Sequence, residues 1–408
     1  MHERILKDFL TLRLKKGATL LLALSGGVDS MALFHLLVEA KKKLDFHLHV
    51  AHVDHGWREE SRKEGEALRL LAAYHTFPFH LHRLEKMGGG DLENRCRIER
   101  LAFFKRLHQK YHYQALLLAH QFEDQAETVF KRVAEGGGLR ALRGLHQERE
   151  IEGLPIWRPL LSIKKEALAS YLKKKRLHHF EDSTNDDPKY LRSRMRLNLF
   201  PTLETIFGKK IEGNFVRLGT MCQELTSYFE EKEKEIEKGL ITGPFGSCLE
   251  LDKRIHPLEL KFFLKGRAPI SHDALETLMK LIKKGRSSRL IHAGKTSFQL
   301  SRSHLFIYQN PFPDFFKQRD LWSKGSKGDW KEFWQGKVKV DEGVDLVSLS
   351  SLDSSLREKV KKWYSYHHVP SFFYDKAPLM MSGNAIIGEC LTGKGFTPVS
   401  LERCALKG

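Results

Sequence analysis

The stretch ATLLLALSGGVDSMALFHLLVEAKKK, residues 18–43, decides the fold of this chain. Residues 18–24 are an apolar run of strand length, and residues 31–43 begin with apolar side chains at helical spacing. Between them lies Ser25-Gly26-Gly27-Val28-Asp29-Ser30. Two glycines let the backbone close around phosphate oxygens, and the start of the following helix offers unpaired N–H groups and a favourable dipole. Ser25 and Ser30 can add hydroxyl donors. A carboxylate beside phosphate is repelled unless a cation intervenes, which makes Asp29 a natural Mg2+ contact. The loop has neither the lysine of a Walker A sequence nor the spacing of a dinucleotide-binding G-x-G-x-x-G. The plainer alternative is an ordinary strand-to-helix turn with Asp29 or Ser30 capping the helix.

Outward from this loop the pattern repeats. Strands are predicted at residues 45–53, 77–84 and 113–119, and helices at 59–75, 91–111 and 122–134. This alternation specifies βαβ crossovers, so the fold class is α/β with a parallel sheet covered on both faces. An amphipathic helix with Ile5, Phe9 and Leu12 on one face precedes it. After Pro159 the pattern turns helical, over 163–176, 189–207 and 210–238, with a charged EEKEKEIEK stretch in the last. ITGPFGS, residues 241–247, reads as a linker. A mixed segment to about 310, a Pro/Trp/Gly-rich connection to 336 and a last α/β unit follow. The expected domains are a nucleotide-binding domain over 1–205, a helical arm and central α/β domain over 206–310, and a C-terminal RNA-binding α/β domain over 311–408.

The chain has 69 Lys+Arg against 51 Asp+Glu, a formal charge of +18, which favours a polyanionic partner or leaves a solvated basic surface. Its five cysteines include no CxxC pair, which argues against a zinc ribbon or disulfide framework and fits a reducing cytoplasm. No apolar run reaches the length of a membrane span, and the first residues lack a signal-peptide core. His47, His49, His52 and His55 invite a metal-site reading. Strand alternation lets His47 and His49 face one way, but no cysteine or carboxylate completes the set.

SGGVDS resembles the signature of the PP-loop ATP pyrophosphatases, which cleave ATP to AMP and pyrophosphate while adenylating a substrate oxygen. Further blocks resemble one branch, the tRNA(Ile)-lysidine synthases. They are HVDHGWR (52–58), ENRCRIER (93–100) and AHQFEDQAET (119–128), then GGGLRAL (136–142), RPLL (158–161), EDSTND (181–186) and LRSRMR (191–196). Trp57 replaces a Leu of the family, Glu123 an Asp, and Ser193 an Asn. The likeness runs from Leu20 to about Leu203 and returns weakly over 367–380. It implies a Rossmann-like, adenine-nucleotide-hydrolase-like sheet, ATP and Mg2+ as cofactors, and two partners, tRNA(Ile) with a CAU anticodon and free L-lysine. The implied reaction adenylates O2 of the wobble cytidine and then joins the lysine ε-amine to C2, giving lysidine.

On that resemblance, nucleotide contacts fall to Ser25, Gly26, Gly27, Val28, Asp29, Ser30, His52, Arg97 and Arg100. Asp124 and Glu127 stand three apart on a predicted helix at the C-terminal edge of the sheet, so their carboxylates share a face. They suit an amine, holding the ammonium and taking its proton, or else they complement a helix dipole. Arg97 and Arg100 either clamp phosphate or cover a helix surface. Arg192, Arg194 and Arg196 fit RNA or phosphate contact better than ion pairing, since few acids lie at helical spacing from them. The catalytic set expected is Asp29, Arg97, Asp124 and Glu127. The basic runs at 173–176, 253–254, 283–289 and 359–362 each read alone as solvated surface, and together they suit a tRNA footprint. A thiolase-type PP-loop enzyme and an inactive RNA-binding relative are the alternatives. The sequence leaves oligomeric state open, a homodimer included.

Overall fold

A computed structural model describes residues 2–54, 60–84, 92–180, 190–252, 254–285, 289–312, 329–337, 345–383, 385–392 and 394. Residues 55–58 and 181–186 of the family-like blocks lie outside these, as do the side chain of Glu93, Lys253 and residues 286–288. The chain divides into two compact units, 1–226 and 227–408. That division differs from boundaries at 205 and 310.

The first unit opens with α1 (His2–Thr11), then β1 (Ala18–Ala23), α2 (Val28–Lys41), β2 (Phe46–Asp54), α3 (Glu60–Tyr74), β3 (Phe79–Arg83), α4 (Leu92–Tyr111), β4 (Ala115–Leu117) and α5 (Phe122–Ala134). A short α6 (Leu139–Leu142), the hairpin β5 (Glu148–Ile151) and β6 (Leu154–Trp157), and α7 (Lys165–Lys175) follow. The sheet order is β3-β2-β1-β4-β6-β5, parallel except for β5, which runs antiparallel to β6 at the edge. The sequence pattern does not foretell that hairpin. Side chains alternate across β1: Leu20 and Leu22 pack with α1, α2, α3 and α7, whereas Leu21 packs with Phe103, Phe104 and Leu107 of α4. On α1 the buried face is Leu6, Phe9 and Leu10, and Leu12 is exposed.

The predicted helix over 189–207 is instead three pieces, α8 (Leu191–Arg194), a π-helical turn at Met195–Leu199, and α9 (Phe200–Phe207). Next comes α10 (Glu212–Lys238). Met195, Phe200 and Ile211 form a small core with Phe130 of α5 and Phe215, and Phe130 meets the Phe215 ring edge-on at 5.1 Å.

In the second unit the expected linker is a β-hairpin. β7 (Leu240–Gly243) and β8 (Gly246–Glu250) pair antiparallel across a two-residue turn, Pro244-Phe245, and Phe245 is buried against Phe333. α11 (Pro257–Arg267), α12 (His272–Lys283), β9 (Arg289–Ala293), β10 (Thr296–Ser301) and β11 (His304–Gln309) complete a sheet of order β7-β8-β11-β10-β9. α13 (Trp330–Trp334), β12 (Asp345–Val347), α14 (Ser354–Tyr366), β13 (Leu379–Ser382) and β14 (Ala385–Glu389) follow, the three strands forming a second sheet. One aromatic core draws Phe245, Phe306 and Tyr308 together with Trp330, Trp334, Trp363 and Phe373, so residues on both sides of position 310 share it.

Candidate functional site

β1 lies between β2, reached through α2, and β4, reached much later in the chain, so chain direction across the sheet reverses there. Such a switch point opens a crevice at the C-terminal ends of the strands, where α/β sheets bind ligands. Residues 25–30 leave β1 on one side of it, and His120, Gln121 and the start of α5 leave β4 on the other.

The loop is held by its own side chains. Gly26 N donates to Ser30 Oγ at 3.1 Å, Ser30 Oγ donates to Gly27 O at 3.1 Å, and Ser25 Oγ is 3.0 Å from Ser30 Oγ. Ser30 is buried, so its hydroxyl braces the loop, while Ser25 is exposed. Gly26 has φ +94°, and a Cβ there would stand 2.6 Å from Phe180 Cδ2, whose backbone N–H donates to Gly26 O. Gly26→Ala is therefore expected to weaken ATP binding about tenfold and to cost about 1 kcal/mol or more of stability. Titration calorimetry and a melting curve check both. Gly27 caps α2 without a side-chain bond, leaving the helix N-terminus free for an anion.

Asp29 sits half-buried in the first turn of α2, and its Oδ1 is buried with no hydrogen-bond partner. Its pKa is raised to about 6, chiefly by burial; Lys165 opposes this, Asp124 adds to it, and Arg196 and Glu123 follow with opposite signs. A buried acceptor left in this state fits a cation. His52, expected at the nucleotide, is buried, and its Nδ1–H donates to Leu24 O at 2.8 Å, pinning the end of β2 to the residue before the loop.

Across the crevice α5 starts with a capping box. Gln121 Oε1 accepts from Glu123 N at 2.6 Å, and Asp124 Oδ2 accepts from Gln121 N at 3.0 Å. Asp124 and Glu127 are both buried, one turn apart as the spacing predicts. Arg196 spans them. Its Nη2 donates to Asp124 Oδ1 at 2.8 Å and to Glu127 Oε2 at 3.0 Å, and its Nε donates to Glu127 Oε1. Arg192 Nη1 lies 3.9 Å from Asp124 Oδ1. The expectation that these arginines avoid ion pairs is thus corrected for Arg196 and, at the longer distance, for Arg192. The acids come from another helix, which helical spacing cannot reveal. Burial raises the Glu127 pKa, against the pull of Arg196; for Arg196 burial acts downward, but Glu127 and Asp124 outweigh it and the net direction is up.

Glu123, in place of the family's Asp, accepts the backbone N–H of Lys165 at 3.0 Å and so caps α7. Ser193 is buried, and Arg192 and Arg194 are exposed. Arg97 and Arg100 lie on the exposed side of α4. Burial lowers the His120 pKa to about 4, Asp124 opposes, and Arg158, Arg192 and Arg100 add to the fall. Arg158 Nε donates to His120 Nδ1 at 3.2 Å, so the neutral ring carries its proton on Nε2. Sequence reasoning does not single out buried Arg158 or exposed Lys165; the one hint is RPLL, which contains the former. A cavity of about 380 Å³ is lined by Gln121, Glu123, Glu127, Lys165, Glu166, Arg196, Lys210 and Glu212, among others. His49 faces His80 at 3.1 Å and Tyr113 Oη at 2.8 Å, rather than pairing with His47.

A PP-loop domain model matches residues 1–203. The chain is 32% identical to a tRNA(Ile)-lysidine synthase of Protochlamydia amoebophila, across 95% of this chain and 92% of that protein. It is 33% identical to a tRNA(Ile)-lysidine synthase of Chlamydia trachomatis serovar D, across 71% of this chain and 92% of that protein. Among solved structures, a U34-tRNA thiolase from Methanococcus maripaludis covers 54% of this chain and 78% of its own, with 17% identity and a TM-score of 0.46.

Proposed function

The chain belongs to the tRNA(Ile)-lysidine synthases of the PP-loop family, and from that premise we propose the division of labour within its site. It is an ATP-using ligase that joins lysine to the wobble cytidine of tRNA(Ile). The loop at residues 25–30 and the N-terminus of α2 take the ATP phosphates, and Asp29 holds Mg2+. The cation supplies charge neutralisation as pyrophosphate leaves. Arg97 and Arg100 belong with the α-phosphate, and the neutral His120 has its Nε2–H left to donate. Free L-lysine enters beside α5, its ε-ammonium against Asp124 and Glu127. The cavity's mixed lining suits this zwitterion, because Lys165 and Lys210 can meet the α-carboxylate while Glu123, Glu166 and Glu212 meet the α-ammonium.

The observation that carries this reading is the placement of two buried carboxylates across one crevice from a braced phosphate loop. Incubation with ATP, labelled L-lysine and a panel of tRNAs tests it: label enters CAU-anticodon tRNA(Ile) and no other. Label in none of them, with the protein folded, would sink the assignment. The thiolase alternative gives way to the relatives found, and among the described residues Cys96, Cys222, Cys248 and Cys390 are buried and free.

The second unit serves tRNA capture rather than chemistry, because every residue with a chemical role precedes position 227. Lys359 and Lys362 of α14 are exposed and Lys361 half-buried. Ending the chain after Leu240 is expected to weaken full-length tRNA binding at least tenfold. It also flattens the salt dependence, by ~0.9 in slope for each duplex phosphate that the second unit neutralises. ATP binding and a cooperative melt should persist in the shortened chain. Equal slopes and affinities for the two chains would remove the second unit from the RNA footprint. Whether two copies associate is a separate matter, read directly from sedimentation.

A further inference from the structure

The two acids assigned to the amine already hold a cation. Both oxygens of Glu127 and Oδ1 of Asp124 accept hydrogen bonds from the one Arg196 guanidinium. The remaining oxygen, Asp124 Oδ2, takes the Gln121 N–H. Every carboxylate oxygen of the pair thus carries a donor, and three of the four are served by one side chain. An arriving ammonium brings the same chemistry, a positive charge with several donors, to the same oxygens. Arg196 and, at 3.9 Å from Asp124, Arg192 already set two cations against the pair, with Asp29 a further acid acting on Arg196. A third cation meets no oxygen of the pair without a donor unless one is exchanged.

The backbone is suited to an exchange. Arg196 lies in the π-helical turn Met195–Leu199, a geometry that recurs at functional sites. Met195 and Phe200 are buried on either side of it and packed in the core with Phe130, whereas Leu197 and Asn198 are exposed. The anchors can stay in place while the half-exposed guanidinium swings toward the open cavity that it lines.

We infer that Arg196 is a resident stand-in for the substrate amine: it neutralises Asp124 and Glu127 until lysine arrives, and lysine binds by displacing it. This rests on the reading of those acids as the amine site. The affinity for lysine is then a difference between two similar interactions, and removing the internal cation strengthens it.

The test is calorimetric titration of L-lysine into the full-length protein and its Arg196→Met, Arg196→Lys and Glu127→Gln variants. Arg196→Met is expected to bind lysine about tenfold more tightly. Methylguanidinium should compete with lysine in that variant at concentrations that leave the wild type unaffected. Arg196→Lys, whose point charge cannot span both acids, should fall between them. An arginine with a merely structural role would leave lysine affinity unchanged or reduce it. If lysine binds no more tightly to either Arg196 variant while Glu127→Gln weakens it, the stand-in is overturned and the amine site survives. If Glu127→Gln, made in the Arg196→Met background where no internal cation compensates, leaves lysine binding untouched, the amine site falls and the stand-in with it. Should the Met variant not fold, the Lys variant decides: affinity equal to or below wild type overturns the inference.

Discussion

Asp29→Ala is expected to cut tRNA-dependent pyrophosphate release by roughly three orders of magnitude, the equivalent of about 4 kcal/mol of barrier. The fold should survive this change. Asp29 Oδ1 has no hydrogen-bond partner to lose, and burial already disfavours its charged form, so truncation relieves a cost in the protein alone. What disappears is an anionic oxygen where α2 begins, the point at which a cation must screen phosphate from carboxylate. Asp29→Asn keeps the shape without the charge and should fail nearly as completely. Pyrophosphate release measured with tRNA present, beside a melting curve, separates chemistry from folding. Near-wild-type release from the alanine variant would remove Asp29 from the metal site.

Glu127→Gln is expected to slow lysine transfer by on the order of a hundredfold while leaving adenylation largely intact. A lysine ammonium must lose a proton before nitrogen can attack, and a buried carboxylate with a raised pKa is a stronger acceptor than an ordinary one. A carboxamide neither takes the proton nor balances the charge. Adenylated tRNA should then accumulate at saturating ATP, visible as label from α-labelled ATP retained on RNA. An equal fall in both half-reactions would assign Glu127 to the nucleotide.

The elements legible in the sequence are those whose signal is local. α5 occupies Phe122–Ala134 as predicted, because its apolar period is clear and its capping residues adjoin it. Of the parallel strands, β1 and β4 are short apolar runs between helices, while β2 and β3 show apolar residues alternating with histidines, and all four are legible. The hairpin of β5 and β6 escapes such a reading because both strands are four residues long, β5 is polar, and Pro155 breaks the pattern. The 241–247 segment misleads for a related reason, since Gly and Pro mark a tight hairpin turn as readily as a linker. In the site, Asp124 and Glu127 can be placed on one face by counting. Their partner cannot: Arg196 is 72 and 69 residues away in the chain, and Glu123 caps a helix 42 residues on. Pairings at such separation leave no periodicity to read.

The capping box at the head of α5 has a consequence for how this enzyme can evolve. One oxygen of Asp124 closes the first turn of its own helix, while the other faces the crevice. The carboxylate's rotation is therefore frozen on folding, and no entropy remains to be lost when a ligand arrives. Active-site groups commonly trade robustness for activity, so that replacing them stabilises the protein. Here one side chain serves both ends, so a substitution at position 124 that removes the capping oxygen costs about 1 kcal/mol of stability together with the activity.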